Sequence, residues 1–140
     1  ADIFKRHNLT GVGLSPVRQK GAKDLRSLGW YQMMPYPPYF EIVPPTRTGD
    51  TPFDEDVQNV HRCPNGDTVG LNFLSEITVS ATSQSSSDVT ASSQFIGRRA
   101  GVLRPQRSIF ISQRVRQLLE ENGVKGYRLE VAHALRCGLR

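Results

Sequence analysis

The best candidates for chemistry in this 140-residue chain are a histidine and a thiol two positions apart, in His61-Arg62-Cys63-Pro64-Asn65-Gly66. In an extended segment that spacing puts imidazole and thiol on one face, where a base beside a low-pKa thiolate would make a nucleophile. As a zinc half-site the same stretch fails on spacing: two thiolates at CxxC can share one tetrahedral ion, and here Gly66 holds the second position. The other thiol, Cys137, lies four residues from His133, so a helical tail would bring that pair onto one face. A site built from His61, Cys63, His133 and Cys137 would need two distant pairs to converge, neither with a recognised zinc spacing. A turn thiol beside Pro64 is the simpler reading of Cys63, and neither a metal nor another cofactor is expected. Glu130 and His133, three apart, would point to opposite faces of a strand, so they make no acid–base pair. No phosphate-cradling glycine loop, HExxH helix or GxSxG elbow occurs. These residues point to a chain without catalysis of its own, with a Cys63-dependent enzyme as a lesser alternative.

Arginines are the next group with a chemical preference. Residues 1–94 carry eight Lys/Arg against ten Asp/Glu, whereas residues 95–140 carry ten against three, a net +7 in the C-terminal third. Arg98, Arg99, Arg104, Arg107, Arg114 and Arg116 make this an arginine surface suited to carboxylates or phosphates. Nucleic-acid binding is the alternative function that this charge supports. It would be favoured by aromatics interleaved with the basic residues. The aromatics Trp30, Tyr31, Tyr36 and Tyr39 sit in a separate segment instead. Gln113–Gln117 lacks a preceding helix at a tight turn, so it reads as a solvated helix face rather than a recognition helix.

The aromatic segment, Trp30 to Phe40, is rich in the residue types found at interface cores. Its prolines forbid a regular helix and a central strand. It is a candidate contact surface; the same rings would serve equally as a cap on the domain core. Candidate partner-binding residues are therefore Trp30, Tyr36 and Tyr39, with Arg98, Arg99 and Arg104.

The elements that must position these residues are clearest near the C-terminus. Ser108–Ile111 is a short apolar strand, Ser112 an N-cap, and Val115, Leu118 and Leu119 form the apolar stripe of a helix stopped by Gly123. Tyr127, Leu129 and Val131 alternate with Arg128 and Glu130, the pattern of a half-buried strand. The N-terminus repeats this grammar. Leu9–Leu14 aligns with Val124–Leu129, Ile3 and Phe4 match Leu118 and Leu119, and Asn8 takes the place of Gly123. The counterpart of Val115 would precede Ala1, so the chain is expected to begin inside a helix and to be the C-terminal part of a longer protein. Between the copies, Lys20–Leu28 is polar with a short helix as one option, and Tyr39–Val43 is a strand candidate. Thr46–Asp56 reads as an acidic loop with a Gly-Asp turn, and Gly70–Ser80 as one strand. The Ser/Thr-rich stretch Ser80–Gln94 reads as a long exposed loop, or a weak helix after Ser87. The expected fold is a single α+β domain over residues 1–140, with a mainly antiparallel sheet and helix–Gly–strand units at both ends.

Phe95–Leu135 (FIGRRAGVLRPQRSIFISQRVRQLLEENGVKGYRLEVAHAL), the Arg62-Cys63-Pro64 triplet and the opening FKRHNLTGVGLSPV resemble the C-terminal half of bacterial double-CXXCG motif proteins. They also resemble the broader group of immunity proteins encoded beside polymorphic toxins. The resemblance implies a small intracellular protein that binds and neutralises a cognate toxin. Gly66 replaces the second cysteine of CPxCG, so the family's zinc staple does not carry over intact. The lack of an apolar run near the roughly 18 residues a membrane span needs, and of a secretory leader, adds an expectation of a cytoplasmic location.

Overall fold

A computed structural model describes residues 1–17, 30–51, 54–58, 60, 68–69, 72–81, 86–97 and 105–136. It is a mixed α+β structure of many strands and few helices. In chain order the elements are α1 (Asp2–Arg6), β1 (Val12–Pro16), β2 (Tyr31–Pro35), β3 (Glu41–Ile42), β4 (Thr48–Thr51), β5 (Asp54–Glu55) and β6 (Thr68–Val69). They continue with β7 (Asn72–Phe73), β8 (Ile77–Ala81), β9 (Val89–Gly97), β10 (Gln106–Ile111), α2 (Gln113–Glu121) and β11 (Ala132–Arg136). Pairing is mainly antiparallel, in β1–β2, β9–β10, β3–β8, β4–β5 and β4–β7. Two pairs, β8–β11 and β6–β9, run parallel.

The core centres on β9. Val89, Thr90, Ala91 and Ser92 are all buried, so this strand is covered on both faces. That overturns the exposed loop or weak helix expected for Ser80–Gln94 over most of its second half. A serine-rich composition signals polarity, but serine and threonine are small, and their hydroxyls can be satisfied inside a sheet. Thr90 Oγ1 donates to the Pro38 carbonyl at 3.0 Å. The Ser92 hydroxyl accepts from Ser108 N–H at 2.9 Å and donates to the Gln94 carbonyl at 2.7 Å. It sits where the β9–β10 register shifts between Arg107 and Ile109, so it repairs the rung that the bulge removes.

On its other side β9 meets β3. Phe40 N–H donates to Ala91 O at 2.9 Å and Ser93 N–H to Phe40 O at 2.7 Å, a parallel bridge between Phe40 and Ser92. Beyond it the Gln94 side chain takes over, accepting from Ile42 N–H at 2.9 Å and donating to Ile42 O at 3.1 Å. A side-chain amide thus stands in for one backbone rung and joins β9 to the β3–β8–β11 sheet. Phe40 also meets Phe110, ring centroids 5.7 Å apart and tilted by 56°, which ties the two sheets through an aromatic contact.

Three further expectations are corrected. Thr46–Asp56 contains the β4–β5 hairpin rather than a plain loop. Gly70–Ser80 is not one strand: β7 pairs with β4 and β8 with β3 and β11, separated by residues 74–76. At the C-terminus Ser112 is an N-cap, its Oγ accepting from Val115 N–H at 3.3 Å, Val115 is buried, and Gly123 adopts φ +60°. Yet residues 124–131 form no strand, and β11 starts only at Ala132. The N-terminal copy has its helix, a left-handed Asn8 at φ +50°, and a strand. The two ends are therefore not matched units: Leu14 is half-buried, whereas Leu129 is exposed.

Candidate partner-binding surface

β1 and β2 make a two-stranded ribbon in the register Val12↔Pro35, Gly13↔Met34, Leu14↔Met33. Its pairing extends past both strand ends, with Tyr36 N–H donating to Gly11 O at 2.8 Å and Val17 N–H to Trp30 O at 2.9 Å. The prolines agree with this placement, since Pro35 closes a strand that has a neighbour on one side only among the described residues. Successive side chains of a strand alternate faces, so Tyr31 and Met33 share one face, and Trp30, Met34 and Tyr36 the other. All five are exposed, Trp30 at 72% and Tyr36 at 53%. Both faces of the ribbon therefore carry large apolar groups in water.

A two-stranded ribbon is marginal in water unless something holds its base. Here the base is Gly11, at φ +82°, where a Cβ would lie 2.1 Å from the Val89 carbonyl oxygen. The ribbon thus abuts the first residue of β9. Next to it lies a polar latch built on Asp88, which is buried. The Asp88 carboxylate accepts from Thr10 N–H (3.0 Å), Thr10 Oγ1 (3.2 Å), Ser112 Oγ (3.1 Å) and Arg114 Nη1 (3.1 Å). Asp88 N–H donates back to Thr10 Oγ1 at 3.1 Å, and its carbonyl accepts from Ser112 N–H at 2.8 Å. Burial by itself would push this carboxyl up. The donors from Thr10 and Ser112, with the Arg114 charge, outweigh burial and hold it below the usual aspartate value. One side chain so ties the ribbon's approach, the start of β9 and the N-terminus of α2.

Of the residues expected to bind a partner, Trp30 and Tyr36 come together on the ribbon and stand exposed. Tyr39 does not join them. It is half-buried, donates its hydroxyl to Pro35 O at 3.3 Å, and stacks on Arg107, whose guanidinium carbon lies 4.4 Å from its ring centroid and 4.3 Å from that of Phe95. Arg107 also donates to the carbonyls of Ser92, at 2.6 Å, and Ser93. Arg98, Arg99 and Arg104 lie outside the described residues, as do His61, Cys63 and Cys137. His133 lies within β11 rather than in a helical tail, and pairs with Glu76. Among the described residues no group of three or more His, Cys, Asp or Glu is placed to hold a metal ion.

Sequence reasoning missed Asp88 and Arg107, because each acquires its role from partners far along the chain. The local signal was available only for Asp88: an Asx turn residue followed by the β-branched Val89-Thr90 marks a strand start. The basic third is also more engaged than its charge suggests. Arg114 holds Asp88 and donates to His7 O at 2.7 Å, and Arg116 pairs with Glu120 and Gln113. No helix among the described residues is long and apolar enough to cross a membrane. Comparison with family models, with curated proteins and with solved structures finds no match to this chain.

Proposed function

We propose that this chain is a non-catalytic, immunity-type protein that binds and neutralises a cognate bacterial toxin, with the β1–β2 ribbon as its contact surface. The observation that carries this reading is that Trp30, Tyr31, Met33, Met34 and Tyr36 all stand exposed on the β1–β2 ribbon, whose base abuts β9 at Gly11. Aromatic and methionine side chains are enriched at interface cores, and Trp30, Met34 and Tyr36 leave apolar surface in water on one face of the ribbon, as a binding site does. The sequence resemblance to immunity proteins supplies the class of partner. Nucleic-acid binding gains no support from the arginines whose contacts are known, since Arg107, Arg114 and Arg116 all hold partners within the chain.

The test is to co-purify the chain with the product of the open reading frame adjacent to its gene. A stable complex on size exclusion that Trp30→Ala or Tyr36→Ala weakens by about tenfold or more is expected, the scale of an interface hot spot. Absence of a complex, or a complex indifferent to both substitutions, would count against the reading.

A further inference from the structure

β10 and β11 are outer strands, each paired on one side only among the described residues. Between β10 and the segment leading into β11 runs a cleft of about 770 Å³, within the range of ligand pockets. Its lining is informative. A cavity lying over one face of a sheet meets every second residue of a strand. This one meets the consecutive residues Ser108–Ile111 on one wall and residues 128–132 on the other. It therefore follows the backbone along both walls, while Ile77, Val79, Ala132 and Ala134, alternate residues paired in register, present one face of the β8–β11 pair as its apolar floor.

The second wall carries an independent observation. Tyr127, Leu129 and Val131 alternate with Arg128 and Glu130 as a strand should, yet residues 125–130 belong to no strand and show no backbone hydrogen bond to another described residue. Leu129 and Val131 are exposed, Val131 at 65%. A segment with a strand's pattern, unpaired polar backbone and apolar side chains in water lacks one thing among the described residues, a neighbouring strand.

We propose that this cleft takes an extended peptide segment of a protein partner, added as a strand between β10 and residues 128–131. Main-chain hydrogen bonds would supply affinity, and the apolar floor would select a peptide whose alternate side chains are apolar. The proposal rests on reading the chain as a partner-binding protein, and it places a second contact on residues outside the ribbon.

Random decapeptides displayed on phage are panned on the full chain, and the enriched peptides are synthesised and titrated by fluorescence anisotropy. Expected are peptides with alternating apolar residues, whose affinity falls about tenfold or more on N-methylation of alternate amides and for the Val131→Asp chain. Hydrogen exchange at residues 128–131 slows when such a peptide is bound. Because Val131 is exposed, Val131→Asp should keep the melting temperature of the parent. No enrichment, or binding unaffected by N-methylation and by Val131→Asp, overturns the proposal; so does displacement by decanoate without N-methylation sensitivity, which marks an acyl-chain site. Peptides that lose affinity for Trp30→Ala but not for Val131→Asp overturn the cleft while leaving the ribbon reading standing.

Discussion

Asp88 shows how much one carboxylate can organise when four donors converge on it. Replacing it with alanine removes, at a buried position, the acceptor shared by Thr10 N–H and Ser112 Oγ and one of the two partners of the half-exposed Arg114. A loss of about 3 kcal/mol is expected, read as a lower urea midpoint at unchanged slope. The pH dependence follows from the direction of its shift. A carboxyl held lower in the folded than in the unfolded chain contributes stability above the unfolded value, about 3.9, and loses it as pH falls through the folded one. Stability from this group should therefore be flat from pH 7 to about 5 and decline in the acid limb. In Asp88→Asn that limb should be shallower, a difference that urea titrations at pH 3 and pH 6 would measure. Arg107 acts at the same scale through geometry: its planar guanidinium fits between the Tyr39 and Phe95 rings while donating to two carbonyls. Lysine keeps the charge but has neither the plane nor the fork, so Arg107→Lys should cost about 1 kcal/mol in thermal or urea unfolding.

At the scale of elements, two glycines of the ribbon separate two kinds of constraint. A Cβ at Gly11 would meet the Val89 carbonyl oxygen at 2.1 Å, with φ at +82°, and backbone atoms cannot step aside. A Cβ at Gly13 would meet the Tyr36 hydroxyl, also at 2.1 Å, but that is the far end of a side chain able to swing away. Gly11→Ala is thus expected to cost clearly more than Gly13→Ala, on the order of 2 against 1 kcal/mol, with calorimetric melting as the check. Gly13→Ala should still displace Tyr36 and so weaken partner binding. The α2 N-terminus was legible from Ser112 and the Val115–Leu118–Leu119 stripe because a cap and a helical repeat are local in sequence. β9 was illegible for the opposite reason. Its buried Ser92 and Thr90 are tolerable only because Ser108 and Pro38, beside the nearby Gln94 carbonyl, supply partners, and the first two come from elsewhere in the chain.

At the scale of the whole molecule, the charge split and the ribbon make opposite forecasts about binding. The stretch from Trp30 to Tyr36 carries no charged side chain, so association through it should change little between 50 and 500 mM salt. Contact through Arg98, Arg99 and Arg104 would instead slow association steeply with salt, and stopped-flow rates with the partner would separate the two. The sequence by itself determined the α+β class, the second helix with its cap and stop, and the exclusion of the Trp30–Phe40 segment from any helix, since each follows from side-chain period or backbone chemistry within a few residues. Tertiary structure alone decided that a serine-rich stretch is the central strand, that the well-patterned Tyr127–Val131 segment forms no strand, and that Tyr39 is bound to Arg107 while Trp30 and Tyr36 remain in water. Strand pairing and burial depend on which distant segments supply hydrogen-bond partners and cover, and no local pattern encodes that supply.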